Sequence, residues 1–379
     1  MCQREISLKE KLKNIKEGEG KIVFNKEDNL WNSKYFRIPS LKHLEKDVLL
    51  AFTDIRYNGP EDHAYIDIAL GKSLDGGKTW NYSIAMKNDR KNEKFSRVMD
   101  STILVTKTGR IILMAASFNT DGNWAMKTDK RREDWSLQMV YSDDFGLTWS
   151  EKIDLSSGER AIKNTPKNLI AFLGGVGSGI TTEDGTLVMP AQISLREGDE
   201  NKYYSLIIYS KDNGETWTMG NKVPLENTSE NMVIELDGAL IMSARYDYSG
   251  YRASFISKDL GETWEIYAPL HGKIKTGKGA GCQGSFIKAK SLEGHRIGLI
   301  SAPKNLKGEY TRDNIALYFI DFDSKEKEVL ELCIPYPYDG NSQGGGYSCL
   351  SFKDGNLSIL YEANGNIEYK DLSNYFSLI

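Results

Sequence analysis

Short apolar runs, each preceded by a turn, recur along the whole chain. The six runs begin at Val48, Ile111, Leu187, Leu240, Ile297 and Leu357. Glycine stands one to three residues before five of them, and a further short β-like run precedes each turn. This pattern predicts that each unit opens with a β-hairpin. Successive runs begin between 53 residues (Leu187 to Leu240) and 76 residues (Ile111 to Leu187) apart, which leaves room for four strands and their loops.

A second repeat follows the first four units, with the pattern Ser-x-Asp-x-Gly-x-Thr-Trp. It occupies Ser73–Trp80, Ser142–Trp149, Ser210–Trp217 and Ser257–Trp264. The aspartate can accept hydrogen bonds from backbone N–H groups of its own turn, and the glycine supplies a positive φ. The tryptophan can then bury its ring against the next strand. A calcium loop is the alternative, but each octet offers only one carboxylate.

These units predict an all-β protein, a six-bladed β-propeller with four-stranded antiparallel blades. At 379 residues the chain exceeds the usual size of one hydrophobic core, so it must contain two domains or a repeat architecture. A ring of blades meets this requirement. A β-helix is the main alternative, but its repeats would be shorter and more uniform. Residues 7–17 are the one helix candidate.

Composition and charge narrow the classes of partner. Apolar residues make up 40% and charged residues 27%, with a net charge of −4, as in an ordinary globular protein. This balance implies no broad basic surface, so we expect neither nucleic acid nor membrane as a partner. The four cysteines and four histidines are scattered, without metal-ligand spacing. The N-terminus lacks the apolar run of a secretory signal, so we expect a cytoplasmic location, with release to the outside left open.

Propeller geometry predicts where the chemistry converges. The first strand of each blade begins at the same rim at which the second strand ends. Eight to ten residues before the turns lie Arg37, Asp100, Gly177, Glu230 and Tyr347, together with Gly281–Gly284. The second strands end near Asp54, Arg56, Phe118, Gln192, Arg245 and Glu362. Arginines, carboxylates and a tyrosine from distant parts of the chain should therefore meet at one mouth.

Several segments resemble those of bacterial sialidases (neuraminidases). Tyr35–Leu41 reads YFRIPSL and matches the Phe-Arg-Ile-Pro motif of that family, and the octets match its Asp boxes. Further similar segments are Ser96–Asp100, Leu173–Gly179, Ser229–Leu236, Tyr310–Leu317 and Gly344–Ser351. The resemblance runs from about residue 25 to the end and is strongest to the small clostridial sialidases of glycoside hydrolase family 33. It implies a charged arm over residues 1–20 and a single catalytic propeller domain over residues 21–379.

The resemblance also implies a set of catalytic and anion-binding residues. Arg37, Arg245 and Arg312 would hold the carboxylate of sialic acid, because a planar guanidinium suits a carboxylate better than lysine does. Tyr347 would be the nucleophile and Glu230 its base. A phenol avoids the repulsion that an attacking carboxylate would meet beside the substrate's own carboxylate. By position alone, Arg296 is an alternative to Arg312.

The remaining implied residues bind the sugar or donate a proton. Asp62 would be the general acid, with its neighbour Glu61 as the alternative. Asp100 and Arg56 would bind the O4 region. The apolar pocket for the N-acetyl methyl group would consist of Met99, Phe118, Trp124 and Val176.

The implied activity is that of an exo-α-sialidase, a retaining hydrolase acting on sialylated glycans or sialyl-oligosaccharides through a covalent tyrosyl intermediate. No cofactor or metal is required, and a monomer is expected. A trans-sialidase would share all of these residues, and only an acceptor site would distinguish it. A sialic-acid-binding lectin would keep the arginines but lose Tyr347, Glu230 or Asp62, and all three are present. The sequence leaves the preferred linkage open.

Overall fold

The computed structural model consists almost entirely of β-strands. It describes residues 20–28, 30–121, 135–277, 279–304, 312, 314–336 and 345–377. The helical segments of these residues are two 3₁₀ turns, Lys26–Asp28 and Leu30–Asn32, and one short helix α1, Ser373–Phe376. The expected helix over residues 7–17 lies outside the described residues, as does nearly all of the charged arm.

The first two repeat units form one continuous sheet. Its strands are β2 (Tyr35–His43), β3 (Leu49–Arg56), β4 (Ile66–Ser73), β5 (Asn81–Met86), β6 (Arg97–Val105), β7 (Ile111–Phe118), β8 (Ser136–Ser142) and β9 (Ile153–Asp154). Strands β2 to β5 pair as an antiparallel meander, and β6 to β9 pair as another. A single parallel pairing, Ile66 with Arg97, connects β4 to β6 and joins the two meanders.

The third unit departs from the predicted hairpin. Its strands are β10 (Leu169–Gly174), β12 (Ile180–Thr181), β13 (Leu187–Glu197), β14 (Glu200–Ser210) and β15 (Thr218–Met219). Two separate segments, β10 and β12, occupy the place of the first strand, and both pair with β13. Between them, the glycine-rich chain carries β11 (Gly177–Ser178), which pairs in parallel with β6. A side chain at Gly175 would meet the Asn231 carbonyl oxygen and Pro190 at 2.4 Å, so the chain can pass here only as glycine.

The last three units are four-stranded antiparallel sheets. Their strands are β16 (Thr228–Leu236), β17 (Ala239–Tyr246), β18 (Ala253–Ser257) and β19 (Glu265–Ile266); β20 (Ser285–Lys290), β21 (Arg296–Pro303), β22 (Ile315–Asp321) and β23 (Val329–Tyr336); and β24 (Gly345–Lys353), β25 (Asn356–Ala363), β26 (Asn366–Asp371) and β1 (Lys21–Phe24). Strand β1, from the opposite end of the chain, pairs antiparallel with β26 and completes the last sheet. All six predicted apolar runs are therefore strands.

The sheets stand in a propeller-like arrangement around a common axis. The first strands of neighbouring units contact one another: β2 contacts β6, β6 contacts β10 and β12, β12 contacts β16, β16 contacts β20, and β24 contacts both β20 and β2. Buried apolar side chains fill the spaces between successive sheets. This geometry brings the beginnings of β2, β6, β16 and β24 to the same end of the axis.

The octets form tight turns at the outer part of the sheets. In the second octet, Asp144 accepts hydrogen bonds from the backbone of Leu147 (3.1 Å) and Thr148 (2.8 Å), and from the hydroxyl groups of Thr148 and Ser142. These bonds hold the pKa of Asp144 down at about 2. The aspartate thus fixes its own turn, which is the structural role that the sequence favours over a calcium loop. Within the described residues, no helix is both long and apolar enough to cross a bilayer.

Candidate active site

A cavity of about 330 Å³ opens at the end of the axis where the predicted site residues converge. Its walls come from residues that are spread along the chain from Arg37 to Tyr347. The lining residues are Arg37, Ile38, Asp62, Arg97, Met99, Asp100, Phe118, Leu173, Gln192, Tyr203, Ser229, Glu230, Arg245, Asp247, Tyr248, Arg312 and Tyr347. Nine of the twelve residues that the resemblance implies therefore line one cavity.

Tyr347 and Glu230 form a hydrogen-bonded pair in this cavity. The Tyr347 hydroxyl donates to Glu230 Oε1, and both residues are almost fully buried, with 6% and 5% of their surface exposed. Burial and the neighbouring Glu230 carboxylate raise the pKa of Tyr347 well above its ordinary value, so the phenol is neutral in the resting site. A side chain at Gly346 would come within 2.8 Å of Arg312, which explains the glycine before the tyrosine.

Three guanidinium groups surround the tyrosine. Arg37 lies 5.5 Å and Arg312 lies 5.3 Å from the centre of the Tyr347 ring, while Arg245 donates to Glu230 Oε2 at 2.9 Å. Arg37 is also held by Glu362, at 3.2 Å from its Nε. For Arg312, no carboxylate of the described part of the chain lies within ion-pair distance. This guanidinium is therefore available for an anionic ligand.

Asp62 lies at the mouth of the cavity, with 59% of its side chain exposed. Its Oδ1 accepts hydrogen bonds from Arg56 (2.8 Å) and Arg37 (3.2 Å). Desolvation by the surrounding protein disfavours the ionised form of Asp62. The positive charges of Arg56 and Arg37 outweigh this desolvation and hold the pKa of Asp62 well below its ordinary value. Glu61, the alternative acid, does not line the cavity.

Arg56 and Asp100 differ in their access to the cavity. Asp100 lines it, and burial together with the nearby carboxylate of Asp54 raises the pKa of Asp100 well above its ordinary value. Arg56 is fully buried and donates to Asp54 at 3.1 Å and to Asp62. Arg56 does not line the cavity, because its guanidinium lies behind these two carboxylates, and its role at the O4 region stays a prediction.

The predicted apolar pocket is only partly present. Met99 and Phe118 line the cavity, and Arg97 stacks on Phe118 at 4.5 Å from its ring centre. Val176 does not line it: the side chain is fully buried in a cluster with Tyr347, so its contact with the N-acetyl methyl group stays a prediction. Trp124 lies outside the described residues.

The sequence analysis also left one arginine open and missed several cavity residues. Arg296, the alternative to Arg312, is engaged by Asp323 and Asp237 and does not line the cavity. Tyr203 and Asp247 line it but were not predicted. Asp247 follows Arg245 by two residues, so the two-residue period of a strand could have placed both side chains on the same face.

Comparison with known proteins shows what the whole chain is similar to. Residues 38–333 match the model of the BNR repeat-like domain family. A sialidase of Clostridium perfringens is 69% identical over 379 residues, which cover 100% of this chain and 99% of the relative. A sialidase of Paraclostridium sordellii is 66% identical over 365 residues, covering 96% of this chain and 90% of the relative.

A solved structure of Trypanosoma rangeli sialidase, in complex with 2,3-difluorosialic acid as a covalent intermediate, superposes with a TM-score of 0.75 and 27% identity. The match covers 91% of this chain but 55% of that one, so the chain spans little more than half of that protein's length. The extent of the match to the clostridial enzymes decides the family: this chain belongs to the sialidases, which are glycoside hydrolases.

Proposed function

We propose that this protein hydrolyses terminal α-linked sialic acid from glycoproteins, glycolipids and oligosaccharides, with retention of configuration at the anomeric carbon. One observation carries the proposal. A neutral tyrosine hydroxyl, hydrogen-bonded to a buried glutamate, lies among three guanidinium groups in a single cavity. The covalent intermediate named for the T. rangeli enzyme supports the same chemistry here.

The arginines suit the anionic substrate. Sialic acid carries its carboxylate on the anomeric carbon, and guanidinium groups bind carboxylates through directed, charge-assisted hydrogen bonds. Arg37 and Arg245 are each held by a carboxylate of the protein, whereas Arg312 has none among the described residues. The substrate carboxylate would therefore bind against Arg312. It would share Arg37 and Arg245 with the protein carboxylates that already hold them.

The phenol suits the attack on this carbon. A carboxylate nucleophile would approach the substrate carboxylate at short range and be repelled. A tyrosine nucleophile is the known exception to the two-carboxylate pattern of glycosidases. Glu230 takes the phenolic proton as the Tyr347 oxygen bonds to the anomeric carbon and the bond to the leaving oxygen breaks. Glu230 is already hydrogen-bonded to this proton, so no rearrangement is needed.

Asp62 would supply the proton to the leaving oxygen. In the second step Asp62 removes a proton from water, which attacks the anomeric carbon, while Tyr347 leaves and recovers its proton from Glu230. The resting site favours the ionised form of Asp62 because of Arg56 and Arg37. A substrate carboxylate on Arg37 would offset part of the positive charge of this arginine and raise the pKa of Asp62. Substrate binding would therefore favour the protonated form of Asp62 that acts as the acid.

The rest of the cavity would bind the sugar ring. Asp100 faces the cavity and would accept or donate at the O4 region, with Arg56 acting behind it through Asp54 and Asp62. Met99 and Phe118 would contact the N-acetyl methyl group.

We also propose that the propeller has six blades, with β2 to β5 and β6 to β9 counted as separate blades. The catalytic domain would span residues 21–379, and the protein would be a cytoplasmic monomer.

A fluorogenic sialoside assay with the Tyr347→Phe variant tests the function. We expect the wild-type protein to release sialic acid and the variant to lose at least about a thousandfold in kcat, since the nucleophile is removed. Sialic acid binding, measured by calorimetry, should remain within about threefold of wild type. The matched control is Tyr361→Phe, in the same sheet, whose hydroxyl donates to Glu368 at 2.8 Å. Near-normal turnover by Tyr347→Phe would remove this tyrosine from the mechanism.

A further inference from the structure

Arg245 is fixed from two sides. Its Nη1 donates to Glu230, the partner of Tyr347, while its Nε donates to Asp247 Oδ1 at 2.7 Å. Asp247 Oδ2 in turn accepts a hydrogen bond from the Tyr203 hydroxyl at 2.9 Å. A continuous chain of hydrogen bonds therefore runs from Tyr203 through Asp247 and Arg245 to the catalytic pair.

The backbone confines Arg245 further. Its Nε also donates to the carbonyl of Ala280 at 2.8 Å, and a side chain at Gly281 would come within 3.3 Å of the Arg245 Cγ. Gly281 has a φ of 62°, so glycine is favoured there for the conformation as well. The aliphatic part of Arg245 thus has little freedom, and the direction of its guanidinium depends on what holds the Nε edge.

Asp247 is the charged group at that edge. Its side chain is only 11% exposed, so its charge is weakly screened by water. Without this carboxylate, Arg245 could turn toward Glu230 and form a two-pronged ion pair, which is the favoured geometry of guanidinium with carboxylate. That movement would take Arg245 away from the ligand and would also compete for the base that Tyr347 needs.

We propose that Asp247, itself held by Tyr203, is a positioning residue that aims Arg245 at the carboxylate of the ligand and keeps it from closing on Glu230. This inference rests on the proposed function, since it names sialic acid as the ligand. Asp247 would act through Arg245 rather than on the reacting atoms. Its removal should therefore weaken recognition of the substrate carboxylate more than it weakens the chemical step.

The test compares Asp247→Asn and Tyr203→Phe with wild type, using sialic acid and its neutral methyl ester as ligands. Because a hydrogen bond to a charged group is lost, we expect kcat/KM for the fluorogenic sialoside to fall about 10- to 100-fold in Asp247→Asn and about tenfold in Tyr203→Phe, mainly through KM. The preference for sialic acid over its methyl ester should shrink by a similar factor. A general loss of structure would weaken both ligands equally and leave the preference unchanged.

A matched control pair consists of Tyr204, the residue after Tyr203 on β14, and Glu197, the last residue of β13. Tyr204 donates to Glu197 at 3.0 Å, and neither residue lines the cavity. Tyr204→Phe and Glu197→Gln should therefore keep the wild-type preference for the carboxylate.

A crystal structure of Asp247→Asn provides a readout that does not depend on turnover. We expect the Arg245 guanidinium to turn toward Glu230. An unchanged orientation of Arg245, together with an unchanged ligand preference in both variants, would overturn the proposal. A wild-type protein that cleaves no sialoside would overturn only the proposed function, because the orientation of Arg245 in the variant would still decide the role of Asp247.

Discussion

At the scale of single residues, the site combines charges that restrain one another. Asp62 is held ionised by Arg56 and Arg37, while Tyr347 is held neutral by burial and by Glu230. Tyr347 can therefore give its proton directly to Glu230, whereas Asp62 lacks the proton that a general acid must donate. An anionic ligand changes this balance, because it brings a negative charge to the arginines that now keep Asp62 ionised.

The role of Asp62 as an acid predicts a dependence on the leaving group. An asparagine cannot protonate the departing oxygen, so Asp62→Asn should lower kcat/KM for a natural sialyl glycan by about 100-fold or more. An aryl sialoside, whose leaving group needs little protonation, should lose far less. Steady-state kinetics on both substrates measure the difference, with Glu61→Gln as the neighbouring control. Equal losses on the two substrates would rule out Asp62 as the acid.

The sequence could identify residues but not their depth. Arg37, Glu230 and Tyr347 follow from motifs and from their positions on first strands, and the structure brings them together. Arg56, the last residue of β3, lies behind the cavity surface, because alternation along a strand fixes a face and not a depth. Asp247 and Tyr203 were missed since nothing in the local sequence shows that a side chain just past β17 meets one on β14.

At the scale of elements, the octets and hairpins were predictable because their signals are local. The residues that form each octet turn lie within eight positions of one another, and the apolar runs predict their strands. The broken first strand of the third unit was not predictable. Its cause is the close approach of Gly175 to Asn231 and Pro190, which belong to other strands.

The octet turns should contribute measurably to stability. Asp212 accepts bonds from the backbone and hydroxyl of Thr216 at 2.8 and 2.7 Å. Partial burial opposes its charge, but these bonds outweigh it and lower the pKa of Asp212. Asp212→Ala should lower the free energy of unfolding by about 1–2 kcal/mol at neutral pH, as the loss of a helix cap does. Urea denaturation measures this value, and the exposed neighbour Lys211→Ala should change it by less than about 0.5 kcal/mol.

The same turn predicts a pH dependence with a defined sign. A carboxyl whose pKa is lowered by folding stabilises the protein fully above its ordinary pKa, here 3.8, and loses that contribution as the pH falls further. The difference between wild type and Asp212→Ala should therefore narrow below about pH 4. A difference that stays constant down to the acid transition would contradict a charge-dependent role.

At the scale of the whole molecule, the chain closes on itself. Strand β1 completes the sheet of β24 to β26, and its Phe24 is fully buried, with ring centres 5.5 Å from Phe36 and 5.4 Å from Tyr82. The sequence gives no signal for this pairing, because partners some 340 residues apart leave no local pattern. Closure matters for function since β2 and β24, which carry Arg37 and Tyr347, lie in sheets that β1 helps to hold together.

Removing the Phe24 ring should therefore destabilise the whole molecule. Phe24→Ala should lower the free energy of unfolding by about 3–5 kcal/mol, as large-to-small changes in a core do. Denaturant unfolding followed by tryptophan fluorescence would measure it. The control is Ile22→Ala on the same strand, which is 47% exposed and should cost less than about 1 kcal/mol. Equal effects of the two changes would mean that β1 does not close the fold.

The most direct test of the central claim is to trap the intermediate on the enzyme. A sialic acid derivative with fluorine at C3 and a fluoride leaving group slows the second step, and mass spectrometry of the digested protein then locates the attached sugar. We predict a single adduct on the peptide that contains Tyr347, and no adduct on Tyr347→Phe. An adduct on Glu230 or Asp62, or turnover without any covalent species, would contradict a neutral phenol as the nucleophile.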